Sequence, residues 1–117
     1  MYSKILIVDD SKISRMIVKK IIAEVSPAMV VVEAGSAKEA LVKLKNEDVD
    51  AAILDFHMPE VTGIELAVKI KEIKPELPMS LLTANIQDEI KTQCDDLGIG
   101  YMAKPPKKEP LEKFLTS

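Results

Sequence analysis

The sequence predicts an α/β protein in which five parallel strands form one doubly wound sheet, in the order 2-1-3-4-5, with five helices on its two faces. Two observations lead to this fold class. Short apolar runs of strand length alternate with amphipathic stretches of helical length along the chain, which is typical of βαβ units. Several of the runs also end in polar residues, as strands do where a parallel sheet carries a ligand site.

The first unit runs through residues 4–25. "KILIV" (residues 4–8) has four consecutive apolar residues, which predicts a strand buried on both faces. After Ser11, apolar residues recur at helical spacing, which predicts a helix with one buried face. That face comprises Ile13, Ile17 and Ile21, with Val18, Ile22 and Val25 beside them.

Capping signals open the next two helices. "AMVVVE" (residues 28–33) predicts the second strand and "DAAILD" (residues 50–55) the third. Ser36 and Glu39 have the spacing of a capping box, as do Thr62 and Glu65. The second helix is expected to bury Ala37, Ala40, Leu41 and Leu44, and the third Ile64, Ala67, Val68 and Ile70.

The last two units complete the sheet. "PMSLLT" (residues 78–83) and "IGYMAK" (residues 99–104) predict the fourth and fifth strands, and residues 109–115 a short final helix. The intervening helix carries Ile86, Ile90, Cys94 and Leu97 on one face. Cys94 is therefore expected to be a buried small hydrophobe and not a redox centre.

Composition limits the function classes. At 117 residues the chain is expected to be one domain, residues 1–117, with a single core. Its net charge of −3 argues against an electrostatic grip on nucleic acid. There is no long apolar run and no secretory signal pattern, so we expect no membrane span and a cytoplasmic location.

Polar residues from distant parts of the sequence should converge at one edge of the sheet. Asp9 and Asp10 follow the first strand, Asp55 ends the third, Thr83 ends the fourth and Lys104 follows the fifth. In an open parallel sheet, ligands bind beyond the carboxyl ends of the strands, where the strand order reverses. We therefore expect these five residues to form one site.

The charges of this group indicate its chemistry. One lysine cannot neutralise three carboxylates, whereas Mg²⁺ prefers carboxylate, carbonyl and water oxygens. A zinc site is not expected, since the chain has one Cys and one His. Mg²⁺ beside a lysine and a hydroxyl suits phosphoryl oxygens, and a carboxylate such as Asp55 can act as nucleophile and form an aspartyl phosphate.

Four motifs carry a resemblance to a known family. "VDD" (residues 8–10), "LDFHMPEVTG" (residues 54–63), "LLTAN" (residues 81–85) and "YMAKP" (residues 101–105) stand in the order and spacing of the response regulator receiver domains of two-component systems. The chain resembles most closely the single-domain chemotaxis type. The resemblance covers essentially the whole chain and implies the flavodoxin-like strand order.

The resemblance also implies a role for each site residue. Asp55 would be the phosphoacceptor. Asp10 would bind Mg²⁺ directly and Asp9 through water, with Asp55 and the backbone carbonyl of His57 as the remaining protein ligands. Lys104 would contact the phosphoryl group.

Other positions would transmit or time the signal. Thr83 would move to bond the phosphoryl group while Tyr101 turns inward. His57 and Asn85 would flank the phosphoryl group and tune its hydrolysis. A cis peptide bond would join Lys104 to Pro105, and Gly63 would fit a tight turn after the acceptor loop. The Pro105-Pro106 pair and the short last helix depart from the family pattern and bear on the output surface.

These implications lead to an expected function. A sensor histidine kinase or phosphotransfer protein would donate a phosphoryl group to Asp55 with Mg²⁺ as cofactor, and the chain would signal by protein–protein contact to a downstream target, with a phosphatase as a further partner. It would be a monomer or weak dimer and not an enzyme, beyond promoting its own phosphorylation and dephosphorylation. A phosphate sink or a non-phosphorylated docking module of the same fold is the alternative.

Two other classes use related chemistry or topology. A phosphatase of the haloacid-dehalogenase type would need two acids separated by one residue after the first strand, whereas Asp9 and Asp10 are adjacent. A flavodoxin-like redox protein would need a hydroxyl-rich phosphate loop, whereas "DDSKIS" presents acids that repel a flavin phosphate.

Overall fold

A computed structural model describes residues 2–116 of the chain. Strands and helices alternate throughout this range. They are β1 (Lys4–Val8), α1 (Lys12–Val25), β2 (Val30–Ala34), α2 (Ala37–Asn46), β3 (Ala51–Asp55), α3 (Gly63–Ile73), β4 (Met79–Thr83), α4 (Asp88–Leu97), β5 (Gly100–Ala103) and α5 (Lys108–Leu115).

The sheet is parallel, and its order is β2-β1-β3-β4-β5, which confirms the predicted fold class. The register brings the ends of neighbouring strands level: Val8 lies opposite Leu54, Asp55 opposite Leu82, and Thr83 opposite Ala103. The carboxyl ends of β1, β3, β4 and β5 therefore meet at one edge of the sheet.

Helices cover both faces of the sheet and create two apolar layers. One layer packs α2, α3 and α4 against the sheet, with Leu44, Leu66, Ile70 and Cys94 among its buried residues. The other packs α1 and α5, with Val18, Ile22, Leu111 and Leu115 buried. Because both faces are covered, every residue of β3 and β4 is buried, as the apolar runs of these strands predict.

The exposed half of α1 corrects a sequence prediction. Val18 and Ile22 are buried, but Ile13 and Ile17 are 72% and 47% exposed. The six apolar residues predicted to form one face of this helix span more of its circumference than the sheet and α5 can cover, so the packed side is the one that carries Val18 and Ile22. Ile13, Ile17 and the neighbouring Met16, which is 57% exposed, instead form an apolar patch on the surface.

Smaller corrections concern α3, α4 and α2. Leu66 is buried in α3 where Val68 was expected, and Val68 is 41% exposed. Ile86 lies before α4, which begins at Asp88. Both capping boxes form at least in part. Thr62 and Glu65 bond reciprocally, but at α2 the structure shows only the bond from the Glu39 N–H to the Ser36 hydroxyl.

The ends of β2, β3, β4 and β5 differ from prediction by one or two residues, whereas β1 has the predicted bounds. β2 begins at Val30 instead of Ala28, because the Met29 N–H donates to the Ser26 carbonyl in a turn after α1. Within residues 2–116, every helix is too short or too polar to cross a membrane.

Candidate functional site

Three acidic side chains meet at the carboxyl edge of the sheet. Asp9 follows β1 and Asp55 ends β3, and each is 3% exposed, whereas Asp10 is exposed. A carboxylate oxygen from each of the three lies within 4.8 Å of the others. The structure therefore brings together the three acids that the sequence places far apart.

The loop that carries Asp9 and Asp10 is held by short hydrogen bonds. The Asp9 N–H donates to the Ala34 carbonyl of β2 at 3.1 Å, and the Ser11 N–H donates to Asp9 Oδ1 at 2.9 Å. Ser11 is the N-cap of α1, and its hydroxyl accepts from the Ser14 N–H at 3.2 Å. The turn from β1 into α1 thus positions the acids.

Lys104 supplies the cation of the site. Its Nζ lies 2.6 Å from Asp55 Oδ1 and 3.6 Å from Asp9 Oδ2. The contact with Asp55 has the distance of a close ion pair, and the buried Asp55 Oδ1 accepts no hydrogen bond from a backbone N–H or a hydroxyl among residues 2–116. Burial alone would lower the pKa of Lys104, but the Asp55 and Asp9 carboxylates outweigh it and raise that pKa.

The Asp9 carboxyl is affected by its burial and by the charges around it. Burial raises the pKa of its carboxyl, and the nearby charges of Asp55 and Asp10 add to that effect. The Ser11 N–H and the Lys104 ammonium act in the opposite direction without cancelling it. The site therefore holds more negative charge than its own residues neutralise, which is the condition that a bound cation would relieve.

Gly63 allows the chain to pass directly beneath Asp55. Its N–H donates to the Phe56 carbonyl at 2.9 Å. A Cβ at this position would lie 2.6 Å from the Asp55 carbonyl oxygen and from Leu81 Cδ1. The predicted reason for this glycine was a tight turn, but Gly98 is the glycine with positive φ in the described chain. Close approach to Asp55 is what requires glycine here.

Thr83 ends β4, the strand next to the one that Asp55 ends, and its side chain bonds within its own loop. Its hydroxyl is fully buried, accepts from the Asn85 N–H at 3.2 Å and donates to the Asn85 carbonyl at 3.4 Å. The Thr83 carbonyl accepts from the Lys104 N–H at 2.8 Å, which ties the ends of β4 and β5 together. The peptide bond between Lys104 and Pro105 is cis, as the resemblance implies.

The remaining predicted residues lie around this centre. The Tyr101 side chain lies on β5 and is 37% exposed. His57 is exposed and contacts the Phe56 ring edge-on, with 4.8 Å between ring centroids. His57 and Asn85 line one cleft. The role of the His57 carbonyl as a metal ligand stays a prediction.

Arg15 joins the site although the sequence analysis did not select it. Its Nη1 donates to the Asp9 carbonyl at 2.6 Å and its Nε to Glu33 Oε1 at 3.0 Å. One signal could have found it: Arg15 is the only arginine among 16 basic residues. A single arginine in a lysine-rich chain indicates a position where the planar guanidinium is needed.

The donor set fits a hard divalent cation. It consists of three carboxylates within reach of one point, one of which presents a buried oxygen that accepts no backbone or hydroxyl hydrogen bond in the described chain. Mg²⁺ favours such oxygen ligands and completes its shell with water, which the exposed side of Asp10 admits. The residues present therefore fit the metal that the sequence predicts.

Comparison with known proteins identifies the family. Residues 5–116 match the model of the response regulator receiver domain. The chain belongs to this family. Receiver domains of two-component response regulators act in phosphorylation-dependent signalling and bind Mg²⁺ at an acidic pocket.

This receiver domain is similar to parts or the whole of several known proteins. It is 36% identical over 115 residues to a protein-glutamate methylesterase/protein-glutamine glutaminase from Trichodesmium erythraeum, which covers 96% of this chain and 33% of that protein. Among solved structures, the Vibrio cholerae chemotaxis protein CheY4 has a TM-score of 0.88 and 29% identity, covering 99% of this chain and 98% of that one. The response regulator TrrA from Thermotoga maritima, in complex with Mg²⁺ and BeF, has a TM-score of 0.84 and 27% identity, covering 97% and 96%.

The receiver domain spans about a third of the first of these relatives. The similarity therefore concerns the receiver part of that protein. The full-length structural match to CheY4 supports the predicted chemotaxis-type fold.

Proposed function

We propose that this receiver domain is a phosphorylation-activated switch that accepts a phosphoryl group on Asp55. The donor is a phosphohistidine of a sensor histidine kinase or phosphotransfer protein. A carboxylate oxygen of Asp55 attacks phosphorus, the P–N bond to the donor imidazole breaks, and the imidazole takes up a proton as it leaves. Asp9, Asp10, Asp55 and the His57 carbonyl would hold Mg²⁺, which supplies charge neutralisation for the phosphoryl oxygens.

The observation that carries this proposal is the state of Asp55 Oδ1. This buried atom accepts no hydrogen bond from a backbone N–H or a hydroxyl in the described chain, and its close contact is the Lys104 ammonium at 2.6 Å. A nucleophilic oxygen must keep a lone pair available, and a nearby ammonium can follow the charge as it moves onto the phosphoryl group. A carboxylate with a purely structural role would be expected to use its oxygens as acceptors.

Thr83 and Tyr101 would convert the new charge into a surface change. The Thr83 hydroxyl bonds to the Asn85 backbone, and Tyr101 is partly exposed. A phosphoryl group on Asp55 would offer the hydroxyl a stronger acceptor, and Tyr101 would move into the space that opens. Phosphorylation would act by shifting this equilibrium. His57 and Asn85 would tune the hydrolysis of the phosphoryl group.

The apolar patch on α1 supports a protein partner. Ile13, Met16 and Ile17 are exposed, and Ile17 also lines a groove with Lys104, Pro105 and Pro106. A donor protein that reaches Asp55 would cover this surface, and burial of these side chains would stabilise the complex. We further propose that residues 1–117 act as one cytoplasmic domain, monomeric or weakly dimeric, which signals to its target by protein contact.

Intact-mass measurement tests the proposal. The native chain is incubated with Mg²⁺ and acetyl phosphate, beside Asp55→Asn and the matched control Asp50→Asn, which changes an exposed aspartate at the other end of β3. We expect the mass of one phosphoryl group on the native and Asp50→Asn chains, none on Asp55→Asn, and none after chelation. A native chain that takes no phosphoryl group from acetyl phosphate or from a phosphohistidine protein would leave a docking module as the function.

A further inference from the structure

The Arg15 side chain connects three parts of the fold. It starts on α1, donates from Nε to Glu33 of β2, and donates from Nη1 to the main-chain carbonyl of Asp9. The side chain is 16% exposed, so the guanidinium is largely enclosed by these partners. The short 2.6 Å bond to the Asp9 carbonyl is a charge-assisted one.

That carbonyl belongs to the peptide unit between Asp9 and Asp10. Because a peptide unit is planar, holding its oxygen fixes the orientation of the whole plane and the direction in which the chain leaves toward Asp10. The Asp9 N–H is held by Ala34, and Asp9 Oδ1 by the Ser11 N–H. The bond from Arg15 fixes the one peptide plane that lies between the two acids.

Glu33 holds the guanidinium in place. It accepts from Arg15 on one oxygen and from Lys19 on the other, each at 3.0 Å. Both cations extend from α1 toward β2, so the network joins this helix to the strand beside β1. Lys19 also donates to Glu33 but, among the described residues, has no hydrogen bond to Asp9. It is therefore a suitable control for Arg15.

We propose that Arg15 is a positioning residue that sets the Mg²⁺ affinity of the site by fixing the peptide plane between Asp9 and Asp10. The inference rests on the proposed metal site and adds a residue to it. Arg15 does not touch the metal or the phosphoryl group and acts through the two acids.

The direction of the effect separates this role from a simple charge effect. As a positive charge bonded to the Asp9 main chain, Arg15 opposes a second cation at the site, so its removal would tighten Mg²⁺ binding on electrostatic grounds alone. If Arg15 instead holds the peptide plane between Asp9 and Asp10, its removal weakens Mg²⁺ binding. Loss of a residue that orients metal ligands reduces metal affinity by about 10- to 100-fold, so we expect the positional effect to exceed the charge effect.

Mg²⁺ titration followed by two-dimensional ¹H–¹⁵N NMR tests the proposal, with the amides of Asp9 and Asp10 as reporters. The variants are Arg15→Met, which removes the charge, Arg15→Lys, which keeps it without the planar fork, and Lys19→Met as the matched control. We expect the dissociation constant to rise about 10-fold or more in Arg15→Met, less in Arg15→Lys, and less than about 2-fold in Lys19→Met. The amides of β4 report whether each variant is folded. If Arg15→Met does not fold, the dissociation constant of Arg15→Lys decides the test.

A second readout separates affinity from chemistry. The rate of phosphoryl uptake from acetyl phosphate should fall in Arg15→Met at limiting Mg²⁺ and recover toward the native rate at saturating Mg²⁺. A folded Arg15→Met chain that binds Mg²⁺ as tightly as the native chain, or more tightly, would overturn the inference. A native chain that binds Mg²⁺ but takes no phosphoryl group refutes the proposed function alone, whereas a native chain that binds no Mg²⁺ refutes both.

Discussion

Lys104 and Asp55 form a close ion pair, with 2.6 Å between Nζ and Oδ1, at the point where β3 and β5 end. The same ammonium lies 3.6 Å from Asp9 Oδ2. One cation therefore faces two carboxylates that are each 3% exposed. Without a metal, Lys104 is the cation that these two carboxylate groups contact in the described chain.

Replacement of Lys104 should show how far the folded chain depends on this cation to balance the Asp9 and Asp55 carboxylates. In Lys104→Met, Asp9 and Asp55 stay buried but lose their cation. We expect a loss of about 2 kcal/mol in the free energy of unfolding, less than for a fully buried pair because the lysine is partly exposed. Mg²⁺ should restore more stability to this variant than it adds to the native chain. Urea unfolding in chelator and in Mg²⁺ measures both effects, and the exposed Lys107→Met is the control. Equal losses in the two variants would contradict the prediction.

The ionised carboxylate of Asp9 is expected to destabilise the folded chain in the absence of metal. Because its folded-state pKa is raised above the unfolded value of 3.8, the folded chain binds more protons than the unfolded chain as pH rises past that value. Ionisation of Asp9 therefore lowers the free energy of unfolding as the pH rises from acid to neutral. Asp9→Asn should be more stable than the native chain at pH 7 in chelator, and the difference should shrink as pH falls toward 3.8. Urea midpoints across this range decide it; a less stable variant at pH 7 would refute the prediction.

Asp50 should give the opposite pH dependence. It accepts hydrogen bonds from the Lys4 and Ser3 N–H groups, which lower its pKa below 3.8 despite slight desolvation. The folded chain thus favours the charged form, so the stabilisation is present above the unfolded pKa and is lost as pH falls through the folded pKa. Asp50→Asn should lower the urea midpoint at pH 7 and lose less stability than the native chain below pH 3.8. If the urea midpoints of the native and Asp50→Asn chains change in parallel with pH, this prediction is wrong.

Gly63 should tolerate no side chain. In Gly63→Ala the new Cβ would meet the Asp55 carbonyl oxygen and Leu81 Cδ1 at 2.6 Å, so the acceptor loop must shift. We expect a loss of about 1–3 kcal/mol in the free energy of unfolding together with slower phosphoryl uptake. Gly100→Ala is the control, since its nearest neighbour would be Ser80 Oγ at 3.4 Å. Thermal unfolding and intact mass measure the two effects; similar losses in both variants would speak against the close-approach explanation.

Thr83 should be needed for the response more than for phosphoryl uptake. Thr83→Val keeps the branched shape but removes the hydroxyl that bonds to the Asn85 backbone. We expect phosphoryl uptake within about 10-fold of native, since general positioning residues remain, but loss of the change at Tyr101. ¹⁹F NMR of fluorotyrosine-labelled protein, with the resonance assigned by Tyr101→Phe, measures that change. Thr92→Val on α4 is the control, and an unchanged Tyr101 response in Thr83→Val would remove Thr83 from the switch.

The strand order could be predicted because the four motifs resemble a family with that order, and the meeting of the acids because it follows from a parallel sheet. Asp9 and Asp55 each end a run of buried apolar residues, and parallel strands bring such ends together without any knowledge of side-chain contacts. The bounds of β1 are the same in sequence and structure, since Asp9 ends the apolar run sharply.

The predictions that failed depend on which surfaces the fold covers. Ile13 and Ile17 share helical spacing with Val18 and Ile22, so periodicity alone cannot tell which side of α1 faces the sheet. Arg15 was missed for a related reason. Its partners, Glu33 and the Asp9 carbonyl, lie on other elements, and a main-chain oxygen leaves no mark in the sequence.

The position of β3 in the sheet restrains Asp55, whereas the loop after β4 has fewer restraints. β3 lies between β1 and β4, and each of its residues is buried, so Asp55 cannot travel when its charge changes. A hydroxyl has one proton, and that of Thr83 is given to the Asn85 carbonyl. In the proposed switch, donation of that proton to a phosphoryl oxygen on Asp55 would end the bond to the Asn85 carbonyl, while the hydroxyl would still accept from the Asn85 N–H. One of the two bonds that hold the loop into α4 would therefore be lost when the charge on Asp55 changes.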